Sequence, residues 1–127
     1  MVRFPSTEWV GILQQKCNSD PDFGRATRWS DVKVLLSIGD KRYWMKWYKG
    51  KVIDTMEYLP MQNPLGFDYS ISGSMESWKQ LIERKRVFGD LINSGDVMVD
   101  GNLLEANRMG ESTHILAELI RQIKVEY

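Results

Sequence analysis

Histidine and cysteine are almost missing from this chain: His114 and Cys17 are the single copies among 127 residues. One cysteine excludes an intrachain disulfide and points to a reducing compartment. One histidine excludes a two-histidine metal site and a facial triad. Net charge is missing as well, since 17 Lys and Arg balance 17 Asp and Glu. A balanced chain carries no global electrostatic footprint for nucleic acid or an anionic membrane. No apolar run approaches membrane-spanning length, MVRFPSTEWV lacks the apolar core of a secretory signal, and KVEY matches no retention or peroxisomal tripeptide. The expectation is a cytoplasmic protein, and no motif asks for a cofactor.

What is present is apolar and adaptable. Seven Met and five Trp accompany a hydrophobic content of 43%, enough for one sizeable core in a single domain covering residues 1–127. Ser6 is a good N-cap with Glu8 in the first turn, and Trp9, Ile12, Leu13 and Cys17 follow at helical spacing. Asp20-Pro21 opens a second short helix, expected to reach about Trp29. From Asp31 the period becomes two, with Val32, Val34, Leu36 and Ile38 on one strand face. Turns at Gly39-Asp40 and Lys49-Gly50 lead to strands over 43–48 and 52–59, and a Pro- and Asn-rich loop, 60–66, precedes a fourth strand over 67–72. Four strands joined in succession predict an antiparallel meander.

The stretch from Tyr69 to Met109 is the densest in boundaries, each marked by Gly, Ser or Asn. Ser74 caps a helix with Trp78, Leu81 and Ile82 inward; Val87, Phe88, Leu91 and Ile92 form another stripe ending at Ser94-Gly95. Val97 to Val99 reads as a fifth strand, Asn102 with Glu105 resembles a capping box, and Gly110 is expected to break the helix that Ser112 restarts. Ile115, Leu116, Leu119, Ile120 and Ile123 give the strongest helical stripe. The order predicts an α+β fold: a five-stranded, largely antiparallel sheet covered on one face by about five helices.

Motifs that carry chemistry are weak. Asn18 to Asp22 places oxygens at alternate positions, but Phe23 stands where a calcium loop needs Gly and Trp29 where it needs Glu, so an interhelical turn is read there. No Gly-x-Ser-x-Gly elbow presents a nucleophile, Cys17 lies on a core stripe, and Ser112 reads as a cap, so no catalytic residue is assigned. Arg84, Lys85 and Arg86 with Lys79 form a basic cluster, read as a solvated helix end with at most transient contact to a membrane surface. The aromatic strand 43–48 with Lys41, Arg42 and Lys46 could stack bases, but zero net charge argues against RNA. An enzyme would need a polar cluster around Asp68, Arg108 or His114.

Several segments, in order, resemble the sterol carrier protein 2 domain family: FPSTEWV, WSDVKVLLSI, the GKV turn at Gly50, ISGSMESW, FGDLINSGDVMVDGN, and Arg108-Met109 before a terminal amphipathic helix. The resemblance implies a five-stranded sheet under helices, enclosing an apolar tunnel for fatty acids, acyl-CoA or sterol-like lipids, in a largely non-catalytic carrier. The chain lacks a peroxisomal signal, which implies a cytoplasmic, prokaryotic setting rather than peroxisomal lipid oxidation. The expected floor is Leu36, Trp44, Met56 and Ile71. Trp78, Leu81, Phe88, Leu91 and Met109 would wall it, with Ile115, Leu116 and Leu119 as a lid. The alternative is an accessory module with a filled core that supports a partner enzyme. No metal site is assigned.

Overall fold

A computed structural model describes residues 1–59 and 66–127; all but the last residue of the loop expected over 60–66 lies outside the described residues. The element order is β1 (Val2–Arg3), α1 (Thr7–Ser19), α2 (Pro21–Ala26), β2 (Asp31–Ile38), β3 (Lys41–Tyr48), β4 (Lys51–Glu57) and β5 (Tyr69–Gly73). Then come α3 (Met75–Ile82), α4 (Phe88–Ser94), β6 (Val97–Gly101), α5 (Leu103–Arg108), α6 (Gly110–Arg121) and β7 (Val125–Glu126). The helices begin where short polar side chains can take orphan amide protons. Ser6, Asp20, Ser74 and Asn102 each accept from a backbone N–H three residues on. At Asn102 only half of a capping box forms, because the Glu105 carboxylate bonds Arg108 instead.

The main sheet is five-stranded in the order β4-β3-β2-β5-β6, as expected in strand number and largely antiparallel sense. The expected meander is corrected in one respect. β5 pairs in parallel with the far side of β2, Leu36 opposite Ile71, so the chain crosses over after β4. A parallel neighbour needs a long connection, and the residues between β4 and β5 supply one. Smaller differences are at ends: α2 stops at Ala26, leaving Trp29 exposed, β5 starts at Tyr69 rather than Phe67, and α6 starts at Gly110 rather than Ser112. β1 and β7 form a separate parallel pair that no periodicity announces.

One sheet face carries Val32, Val34, Leu36 and Ile38 beside Tyr43, Met45 and Trp47, and the register extends it to Tyr69, Ile71 and Val97. All are at most 2% exposed. Helices cover this face: Trp9, Leu13 and Cys17 from α1, Phe23 from α2, Trp78 and Leu81 from α3, Leu91 from α4, and Leu116 and Ile120 from α6. Edge-on ring contacts run through it, Trp9 on Tyr43, Phe23 on Trp47 and Trp47 on Tyr69. α1 also seals the β4 edge: Asn18 accepts from the Val52 N–H and, with Gln14, donates to the Val52 carbonyl. That removes an open pairing edge beside the irregularity at Lys46/Trp47.

Candidate functional site: an apolar cleft at the β6 edge

The site is assembled where α4, β6, α5 and α6 meet, and each element is held by an identifiable contact. Arg86 bonds Asp90 at 2.7 Å, Asp96 at 2.6 Å and Ser94 at 2.8 Å, tying the turn before α4 to the turn before β6. The hydrogen bond from Arg86 holds the Asp96 carboxyl below the usual carboxylate range. Gly101 ends β6 at φ 109° with Asp68 O only 2.8 Å from where a Cβ would sit. Only glycine fits this backbone, and it aims α5 back across the sheet end.

These four elements leave a half-open cleft of about 270 Å³. Phe88, Ala106 and Thr113 are its buried members and form the deep end. Ile92 and Val99 form the walls, half-buried. Leu103, Asn107 and His114 stand exposed at the mouth. The His114 ring meets Phe88 edge-on at 5.1 Å, which fixes the rim against the deep end.

The deep end is polar behind and apolar in front. Thr113 Oγ1 donates to the Met109 carbonyl at 2.8 Å, and in turn accepts from the Tyr69 hydroxyl, 3.2 Å away. Burial pushes the Tyr69 phenol up, so it stays a donor across the ordinary pH range. His114 is shared with an adjoining cleft of about 340 Å³ lined by Asp20, Asp22, Glu111 and Glu118, with Ile115 and Leu119.

No protein-family model matches the chain, and no curated protein matches it by sequence. Solved structures do. A crystal structure of sterol carrier protein 2 superposes with a TM-score of 0.78 at 12% identity, covering 94% of this chain and 98% of that one. The possible sterol carrier protein TT1886 of Thermus thermophilus gives 0.77 at 11%, covering 99% and 93%. The palmitated SCP2L2 of Aedes aegypti gives 0.58 at 13%, covering 94% and 96%. This chain has the sterol carrier protein 2 fold.

Within the sterol carrier protein 2 fold, the twelve expected contact residues separate into groups. Leu36, Ile71, Trp78, Leu81, Leu91 and Leu116 are at most 1% exposed and packed into the common core. Phe88 lines the cleft, and Met109 supplies the carbonyl behind it. Ile115 and Leu119 line the neighbouring acidic cleft, so they do not lid this one. Trp44 and Met56 are a correction: they pair with each other and with Leu35 on the opposite sheet face, away from Leu36 and Ile71. Trp44 is buried there, outside the core cluster, and its indole N–H donates to the Gly66 carbonyl at 2.8 Å.

Ile92, Val99, Leu103, Ala106, Asn107 and Thr113 were not anticipated as contacts. Their one sequence signal is the Leu103-Leu104 pair, too apolar for an exposed first turn. Among the described residues no three His, Cys, Asp or Glu side chains group in a way that could hold a metal ion, and no helix is long and apolar enough to cross a membrane. Asp68, Arg108 and His114 do not converge: Asp68 accepts from the Lys33 N–H, Arg108 pairs Glu105, and His114 lies on Phe88.

Proposed function

We propose that the chain binds and carries an apolar small molecule, without chemistry on it, and that the cleft between α4, β6, α5 and α6 is where the ligand enters and sits. One observation carries this reading: an apolar cleft with a polar rim between α4, β6, α5 and α6, in a chain with the sterol carrier protein 2 fold. The palmitated neighbour from Aedes aegypti supports it. Phe88, expected as a contact, lines this cleft, while the packed residues Trp78, Leu81, Leu91 and Leu116 hold α3, α4 and α6 in place behind it.

The energetics are those of partitioning. At about 30 Å³ per water-sized group, the cleft takes roughly nine methylene-sized groups. At about 0.8 kcal/mol each, their burial is worth on the order of 7 kcal/mol before the cost of immobilising the ligand. Affinity is therefore micromolar at best. Entry is through the open mouth beside α5, where Leu103 stands 58% exposed.

A second reading, an accessory module for a partner enzyme, is supported by the filled core and by the exposed apolar side chains of Val87, Met98 and Leu104. Amide NMR with a neutral apolar probe of matching size, 1-octanol, separates the two. Shifts confined to Phe88, Val99, Ala106 and Thr113 support the carrier. No saturable shift at any of them removes it and leaves the module.

A further inference from the structure

We propose, resting on the carrier reading, that the ligand is a compact amphiphile with an uncharged or cationic head, and that Thr113 backed by Tyr69 is the end wall setting its length. The cleft volume of about 270 Å³ is just short of the usual range for drug-sized ligands, which starts at about 300 Å³. It suits an alkyl chain of roughly eight or nine carbons, or a single ring.

The end wall is built to stay shut. Thr113 is 5% exposed, and its hydroxyl both donates to Met109 and receives Tyr69. Tyr69 is fully buried, with Trp47 edge-on behind it at 6.4 Å. A longer chain either breaks both hydrogen bonds and displaces two buried rings or leaves its extra carbons in water at the open mouth. Close-packed interiors resist such intrusion.

The head is chosen by what stands beyond the mouth. His114 and Asn107 offer hydrogen bonds, but the cleft on the other side of His114 is lined by Asp20, Asp22, Glu111 and Glu118. Arg25 pairs Asp22 and Arg121 pairs Glu118, leaving Asp20 and Glu111 with no ion pair among the described residues. On α5, Glu105 and Arg108 pair with each other. The surplus at the mouth is negative, so a carboxylate or phosphate head is repelled and a hydroxyl, amide or ammonium is accepted.

Amide NMR titration of the full chain with n-alcohols from hexanol to tetradecanol, and with octylamine and octanoate, tests the proposal. Affinity should rise about fourfold per methylene as far as octanol or nonanol and then level off. Octylamine should bind about fivefold tighter than octanoate, a gap that salt narrows. Thr113→Ser keeps the hydroxyl and trims one methyl, so the plateau should move about one carbon longer. Ala106→Leu fills the deep end and should abolish octanol binding while amide dispersion persists. Affinity still climbing through tetradecanol, an unmoved plateau in Thr113→Ser, or preference for octanoate overturns this proposal and leaves the carrier reading standing. No shift with any of the chains removes both.

Discussion

The interior under α1, α2 and α3 and the region around β6 and α5 are made from the same kinds of side chain and put them to opposite use. In the first, Trp9, Phe23, Trp47 and Trp78 are at most 1% exposed, and the first three join edge-on ring contacts. Around β6 and α5, Val87, Met98, Leu103 and Leu104 are all more than half exposed, and a cleft opens between the helices. Apolar content alone therefore does not mark a ligand site. On the proposed reading, what marks it is spare apolar surface that also lines a concavity, as Leu103 does with Ile92 and Val99 while Val87, Met98 and Leu104 do not.

The sharpest way to break the comparison is to ask whether the packed half opens. Burial pushes the Cys17 thiol up to about 12 from an ordinary 9.0, with Asp20 adding to the shift. Near neutral pH the native thiolate is then about a thousandfold scarcer than in the unfolded chain. Iodoacetamide should label the native protein at least that much more slowly than the urea-unfolded one. Labelling at nearly the unfolded rate would mean the packed half is loose. The same shift fixes a sign: the folded state holds this proton more tightly, so its contribution to stability is full below about 9 and is lost as pH rises towards 12.

Truncation should grade the two regions. Trp47→Ala removes a fully buried ring between Phe23 and Tyr69 and should cost about 3–5 kcal/mol in urea unfolding. Ile92→Ala, on a half-buried cleft wall, should cost about 1 kcal/mol because much of that side chain already faces open space. Equal losses would erase the distinction between filled and spare surface. Tyr69→Phe lies on the border. It deletes one donor to Thr113 but keeps the ring, and Thr113 still bonds Met109, so a loss of about 1 kcal/mol is expected.

Sequence carried the local parts of this comparison and not the long-range ones. Helix starts at Ser6, Asp20, Ser74 and Asn102 were legible because each cap bonds within three residues. β2 was legible because its even positions share one face. The phase of β3 was hidden, because Tyr43, Trp44, Met45 and Trp47 are all buried and the strand shows no alternation. Trp44 was thereby placed on the wrong face. The parallel β2-β5 pairing was hidden because nothing local distinguishes it from a hairpin partner. The cleft was hidden for the same reason: Val99, Ala106 and Thr113 belong to three elements and become neighbours only through the turn at Gly101 and the join at Met109.

The smallest effect tests the comparison at a single peptide bond. Leu103 and Leu104 are consecutive residues on the first turn of α5, 58% and 71% exposed, yet only Leu103 lines the cleft. Helical geometry separates successive side chains by about 100°, so one turns to the mouth and the other away. Replacing either with Ser removes little buried area, and both variants should keep their stability within about 0.5 kcal/mol. Binding should split them. Leu103→Ser withdraws one apolar wall from the ligand and should weaken an octanol-sized probe about fivefold, equivalent to about 1 kcal/mol. Leu104→Ser should leave that affinity unchanged. If Leu104→Ser weakens binding as much as its neighbour does, the exposed face of α5 is itself the contact, and the spare surface of this half serves a partner rather than the cleft.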